Sequence, residues 1–153
     1  MTGTHLVTRS REETEALGER IGRSARAGDV IALWGELGAG KTVIARGVAK
    51  GLDVGQAEVT SPTFVILHEH LDGRLPFFHV DLYRISPDQA ESTGWREALE
   101  GGGVTAIEWP DRIDADLPGD RLDIRIEHAG VDERRIRLEP TGPRSAALAR
   151  VAA

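Results

Sequence analysis

The sequence predicts an α/β fold, a mixed β-sheet flanked by helices, on three observations. The apolar run VIALW at 30–34 has strand length and no polar alternation, as a central strand covered on both faces requires. A glycine-rich turn follows it, and KTVIARGVAKG at 41–51 then reads as a helix stopped by Gly51, giving strand, loop, helix. Further strand-like runs recur downstream: FVILHEH, LPFFHVD, VTAIEW, and an alternating pair within RLDIRIEHAGVDERRIRLEP.

Each element follows in order. HLVT at 5–8 is a first strand; Ser10 and Glu13 then have capping-box spacing, and Leu17 and Ile21 recur at helical spacing until Gly28 and Asp29 end the helix. Asp72 and Gly73, between two strand-like runs, predict a hairpin. A two-residue turn there sets Phe64 opposite Asp81 and brings Thr63 to the open end beside it. Ser86, Pro87 and Gln89 supply a cap, a first-turn proline and the return partner of a short helix. Glycines 101–103 break the chain before VTAIEW, which Pro110 stops. The last pair, around a glycine turn, is expected as an antiparallel edge hairpin.

At 153 residues the chain has the size of one domain, taken as 1–144 with 145–153 as a short C-terminal tail, a frayed helix or disorder. Without cysteine, thiolate zinc sites, thiol catalysis and disulfides are excluded. No stretch approaches the roughly 18 to 20 apolar residues of a membrane span, and the first residues lack a signal-peptide pattern, so a soluble, cytoplasmic protein without membrane contact is expected. The net charge is −6 and the arginines are scattered among acids, a pattern unsuited to autonomous nucleic-acid binding. A partner could still bring RNA.

Residues 35–42, GELGAGKT, match G-x-x-x-x-G-K-[ST] in full, between a predicted strand and a predicted helix. Glycine lets the backbone adopt positive φ and approach a ligand closely, so successive N–H groups converge at the helix start and favour an anion. A nucleotide polyphosphate fits that concavity. Gly38, Ala39, Gly40, Lys41, Thr42 and Val43 are the candidate phosphate contacts, with Lys41 reaching the β- and γ-phosphates and the Thr42 hydroxyl ligating Mg2+. Only two of the basic residues, Lys41 and Lys50, are lysines, and one of them fills the slot where a compact charge suits better than a guanidinium. The chain contains no asparagine, so the N-K-x-D guanine signature is absent and ATP is the expected nucleotide. Ser10 or Arg11, at the start of the first helix, is the candidate contact to the rest of the nucleotide.

Two carboxylates stand just after apolar strands, Asp81 after FFHV and Glu108 after VTAI, at the strand ends where ligands gather in open α/β sheets. Lys41, Asp81 and Glu108 are therefore the candidate catalytic residues, with magnesium ligation open between the two acids. Thr63 resembles the loop threonine by which switch segments sense a γ-phosphate. His68, His70, His79 and Asp81 share a hairpin face, which alternating polar residues on a half-exposed strand explain better than a metal cluster does. Arg46 and Arg84 are candidates for steadying transition-state charge, with surface ion pairing the favoured reading of Arg46. Trp34, Trp95 and Trp109 read as core or hinge anchors, with Trp109, directly after Glu108, a functional candidate.

GELGAGKT at 35–42, SPTF at 61–64, HVDLYR at 79–84 and IEWP at 107–110, in that order and spacing, resemble the bacterial TsaE family, the small P-loop ATPases of tRNA threonylcarbamoyladenosine synthesis. The likeness is weaker in EETEALGERI at 12–21 and slight after residue 115. Glu36 stands where the family commonly has aspartate, and STGWREAL at 92–99 replaces a more apolar stretch. The resemblance implies ATP phosphates at Gly38–Val43, Mg2+ at Thr42 and Glu108, and functional roles for Thr63, Asp81 and Trp109. It also implies partners, the threonylcarbamoyl transferase subunit TsaD and its inactive paralogue TsaB, with tRNA as substrate of the complex; the ATPase does not itself perform the transfer. Two other classes share the turn: a small-molecule kinase, for which the sequence offers no arginine-rich lid, and a nucleotide-sensing module with negligible hydrolysis.

Overall fold

The computed structural model describes residues 3–36, 38–55, 67–83 and 85–152. Their elements are β1 (Thr4–Thr8), α1 (Arg11–Ser24), β2 (Val30–Gly35), α2 (Lys41–Gly51), β3 (Leu67–His70), β4 (Phe77–Asp81), α3 (Pro87–Ala90), α4 (Trp95–Leu99), β5 (Val104–Glu108), β6 (Leu122–His128), β7 (Arg134–Pro140) and α5 (Pro143–Ala152). The strands form one seven-stranded sheet in the order β1-β7-β6-β2-β5-β4-β3. β2 is central, parallel to both β5 and β6, and β4 runs parallel to β5. β1, β7 and β3 pair antiparallel. The α/β class, the mixed sheet and the buried central strand are as the apolar runs predict.

Two apolar clusters cover the sheet. On one face Leu17 and Ile21 of α1, Ile44 and Val48 of α2 and Leu148 of α5 meet Ile31, Leu33, Ile124 and Leu138. On the other, Trp95 and Ile113 cover Val30, Val80 and Ile107. Among the described residues no helix is long and apolar enough to cross a membrane.

Local sequence sets the helix ends. Ser10 Oγ accepts the Glu13 N–H at 3.1 Å, and the Glu13 carboxylate reaches back to the Arg9 N–H at 3.2 Å, a variant of the capping box. The Gln89 side chain likewise accepts from Ser86 N at 3.1 Å. α1 stops at Ser24, short of Gly28 and Asp29. α1 and α2 then run side by side in the same direction, with Gly18 against Gly47 and Gly22 against Gly51. A Cβ on Gly18 would lie 2.3 Å from the Ile44 oxygen, and one on Gly47 2.1 Å from the Glu15 oxygen, so only glycine lets these backbones meet.

Three expectations need correction. The β3–β4 register places His70 opposite Phe77 and His68 opposite His79, whereas a two-residue turn at Asp72 and Gly73 would set His70 against Leu75. The connection is longer because it is tied to the helices: Arg74 N donates to the Leu52 oxygen at 2.6 Å and Arg74 Nη2 to the Gly22 oxygen at 2.8 Å. The expected pairing of Phe64 with Asp81 falls outside this register, since residues 56–66, with Thr63 and Phe64, lie outside the described residues, as does Arg84. The β6–β7 hairpin is internal, not at the edge, because β1 returns to pair with β7. Residues 145–152 of the expected tail are helical, as one of its two readings allowed, but packed instead of frayed: they lie in α5, whose Leu148, Ala149 and Ala152 are buried. Its start is held by Asp120, which accepts from Arg144 N at 2.9 Å and Ser145 N at 3.0 Å.

Candidate active site

The carboxyl ends of β2, β4 and β5 bring one polar cluster together. β2 ends in Gly35, where a Cβ would sit 2.7 Å from the Ile126 oxygen, and the chain then turns through Gly38 (φ 79°) and Gly40 (φ 116°), both left-handed, into α2. Gly40 is the N-cap and, among the described residues, no side chain caps this helix, so the first-turn N–H groups of α2 face the turn without a side-chain acceptor there. An anion bound there would meet backbone donors and the positive end of α2.

Lys41 is nearly buried and folded back onto its own turn. Its Nζ donates to the carbonyls of Gly35 at 2.5 Å and Glu36 at 3.1 Å, and lies 3.8 Å from the centroid of the Trp109 ring. Burial pushes the Lys41 ammonium below its ordinary 10.5, with Glu108, Asp81 and Asp111 pulling it partly back. Trp109 holds its ring there from a left-handed backbone, φ 60°, and packs on Tyr83 with centroids 4.8 Å apart.

The Thr42 hydroxyl lies 3.0 Å from each oxygen of the Glu108 carboxylate and donates to it. Glu108 is 3% exposed, and its Oε2 is 2.5 Å from His79 Nε2. Asp81 stands directly opposite Glu108 in the β4–β5 register and accepts the Tyr83 N–H at 3.0 Å. Lys41, Thr42, Asp81, Glu108 and Trp109 thus converge as the sequence suggests. Among the described residues no group of three or more His, Asp or Glu could hold a metal ion by itself. Burial, with His79 opposite, keeps His68 below the usual histidine range. Trp95 is core, and Trp34 is half-buried with its Nε1 donating to Asp123 at 2.9 Å.

Beside the turn, Arg11 and Thr14 of α1, Gly38, Ala39, Gly40 and Val43, and Asp132 and Arg134 line a cleft of about 240 Å3. Arg11 is therefore next to the glycine turn. Asp132 and Arg134 have no counterpart among the sequence candidates, because only the strand order carries the β6–β7 turn to this place. Arg134 Nε donates to the Ala39 oxygen at 2.8 Å and its Nη1 to the carbonyls of Val131 and Glu133 at 3.2 and 2.8 Å, which ties that turn to the glycine turn.

Similar proteins carry the same frame. The family described as "Threonylcarbamoyl adenosine biosynthesis protein TsaE" matches residues 8–136. A Bacillus subtilis (strain 168) protein named tRNA threonylcarbamoyladenosine biosynthesis protein TsaE is 44% identical over 133 residues, 87% of this chain and 83% of the relative. A Mycobacterium leprae protein of the same name is 40% identical over 134 residues, 82% of this chain and 83% of its own. The crystal structure of Bacillus subtilis YdiB superposes with a TM-score of 0.84 at 36% identity, covering 99% of this chain and 94% of that one. With its glycine turn, its strand-end acids and this likeness over most of its length, the chain belongs to the TsaE family.

Proposed function

We propose that the chain binds ATP with Mg2+ at the β2–α2 turn and hydrolyses it in support of threonylcarbamoyl attachment to adenosine 37 of tRNAs that read codons beginning with A. It works with the transferase subunit TsaD and its paralogue TsaB and does not perform the transfer. The observation that carries the reading is the Lys41–Thr42–Glu108 arrangement at the carboxyl ends of β2 and β5, beside an uncapped helix start.

The donor set fits Mg2+. A hydroxyl and a carboxylate already in contact are hard oxygen ligands, and an ion that keeps several waters and shares phosphate oxygens needs no larger protein cage. Thr42 and Glu108 would hold it, with Asp81 alongside, and when bound it would neutralise charge on the phosphate oxygens. The first N–H groups of α2 and the Gly38–Val43 backbone receive the phosphates. Lys41 exchanges the carbonyls of Gly35 and Glu36 for the β- and γ-phosphates, trading two neutral acceptors for a charged one. Glu108 or Asp81 orients the attacking water. Arg11, Asp132 and Arg134 border the cleft that takes the rest of the nucleotide.

The test is ATP hydrolysis by the wild type and Lys41→Ala, alone and with TsaD and TsaB from the same source. Lys41→Ala should weaken ATP binding by about 1.5 to 3 kcal/mol, the range for a hydrogen bond to a charged group, and abolish turnover. Hydrolysis indifferent to Lys41 overturns the site; hydrolysis indifferent to the pair overturns the coupling.

A further inference from the structure

His79 is wholly buried on β4, two positions before Asp81, with its ring stacked on Phe77 at 6.1 Å and 24°. Phe77, on the same face and also buried, shows that a purely apolar ring fits this layer without the cost of desolvating imidazole nitrogens. Among the described residues the histidine makes one hydrogen bond, to Glu108 Oε2 at 2.5 Å, while its buried Nδ1 has no hydrogen-bond partner there. A carboxylate only accepts, so the proton of that contact belongs to Nε2. Among the described residues Glu108 is thus gripped from two sides, by Thr42 at the mouth of the site and by His79 from within the sheet.

The two grips differ in permanence. Thr42 sits at the first turn of α2, where a nucleotide would redirect its hydroxyl, whereas His79 is fixed by the sheet and by Phe77. From this we infer that His79 is a positioning residue: its Nε2–H pins Oε2 of Glu108 so that Oε1 stays turned toward Thr42 and the phosphate turn throughout the nucleotide cycle. The inference rests on the role of Glu108 proposed above. It also explains why an imidazole with an unpaired nitrogen occupies a core slot. Without the donor, a nearly buried carboxylate would lose its inner partner and could rotate away from Thr42.

The test pairs His79→Leu, which fills the space without a donor, with His79→Gln, whose side-chain amide offers an N–H at a similar reach. Two readouts are taken on the whole protein: turnover, and the affinity for ADP with Mg2+ and with EDTA. His79→Leu should lower kcat by roughly tenfold or more and erase most of the Mg2+-dependent gain in ADP affinity, as loss of a partner behind a metal-ligating carboxylate commonly does. ADP affinity in EDTA should stay within about twofold of the wild type, since the phosphate-binding turn is untouched. His79→Gln should recover most of both effects. Equal Mg2+-dependent gains in all three proteins would overturn the inference, and so would losses in the two variants that simply follow their melting temperatures. A wild type without Lys41-dependent hydrolysis would count against the proposed activity, and the ADP comparison would then decide the role of His79 on its own.

Discussion

Lys41 shows how a single side chain registers the charge state of its site. Its Nζ donates to the carbonyls of Gly35 and Glu36, in surroundings that push its ammonium below 10.5 chiefly through burial. A polyphosphate would reverse that balance by placing negative charge beside the ammonium. The sign follows: a group whose pKa is lowered in the free protein and raised in the complex takes up protons on binding, and the affinity it contributes declines as pH rises through the lowered value. Calorimetric titration with ATP in buffers of different ionisation enthalpy should therefore show net proton uptake that grows with pH on the alkaline side, below 10.5. In Lys41→Ala this component should vanish. Lys41 and Thr42 could be found from sequence because their motif is contiguous and its geometry is local. The Trp109 ring over Lys41 could not, since it depends on a left-handed residue after β5.

Among the elements, the α1–α2 pair sets the position of the phosphate turn. Gly18, Gly22, Gly47 and Gly51 interlock so closely that a Cβ on any of them would approach a backbone oxygen of the other helix within 2.1 to 2.3 Å. Helix propensity alone would make Gly47→Ala favourable by about 1 kcal/mol. The overlap with the Glu15 oxygen decides the sign, because backbone cannot yield as a flexible side chain can. Forcing the helices apart should cost about 2 kcal/mol net, seen as a lower urea midpoint with an unchanged m value. The helices themselves were legible from capping and periodicity, at Ser10 with Glu13 and at Ser86 with Gln89. Their interlock was not, because single glycines in a helical pattern do not announce which other helix they touch. The hairpin register failed for a related reason: the Asp72–Gly73 signal is real, but Arg74 is held by the ends of α1 and α2, and a tertiary tie outweighed the local preference.

Across the whole molecule the sheet divides its labour. The parallel centre, β6-β2-β5-β4, delivers the phosphate turn and both acids to one end, and the antiparallel flank, β7 and β1, brings Arg134 to the same end from the other side. The placement of the two acids was readable, since apolar runs ending in Asp81 and Glu108 put both at strand ends. The contribution of the flank was not, since the place of β7 between β1 and β6 is a property of the finished sheet. Arg134→Ala should weaken ATP binding by about 1 to 1.5 kcal/mol, one hydrogen bond's worth, by releasing Ala39 and the turn that carries Asp132. Fluorescence titration with a labelled nucleotide analogue checks this; an unchanged affinity would show that the contact only joins two loops.

The two helices that begin at the cleft are finished differently. α1 closes its own start with Ser10 and carries Glu12 and Glu13 in its first turn, whereas α2 has neither a capping side chain nor an acid there. A start left open in this way forgoes stability of about 1 kcal/mol that an ordinary cap would provide. An anion bound in the gap as proposed would reinforce the fold by mass action as it accumulates, by about 2.7 kcal/mol at a hundredfold excess over Kd. If the gap takes the anion proposed above, resistance to unfolding would report how much ligand surrounds the protein.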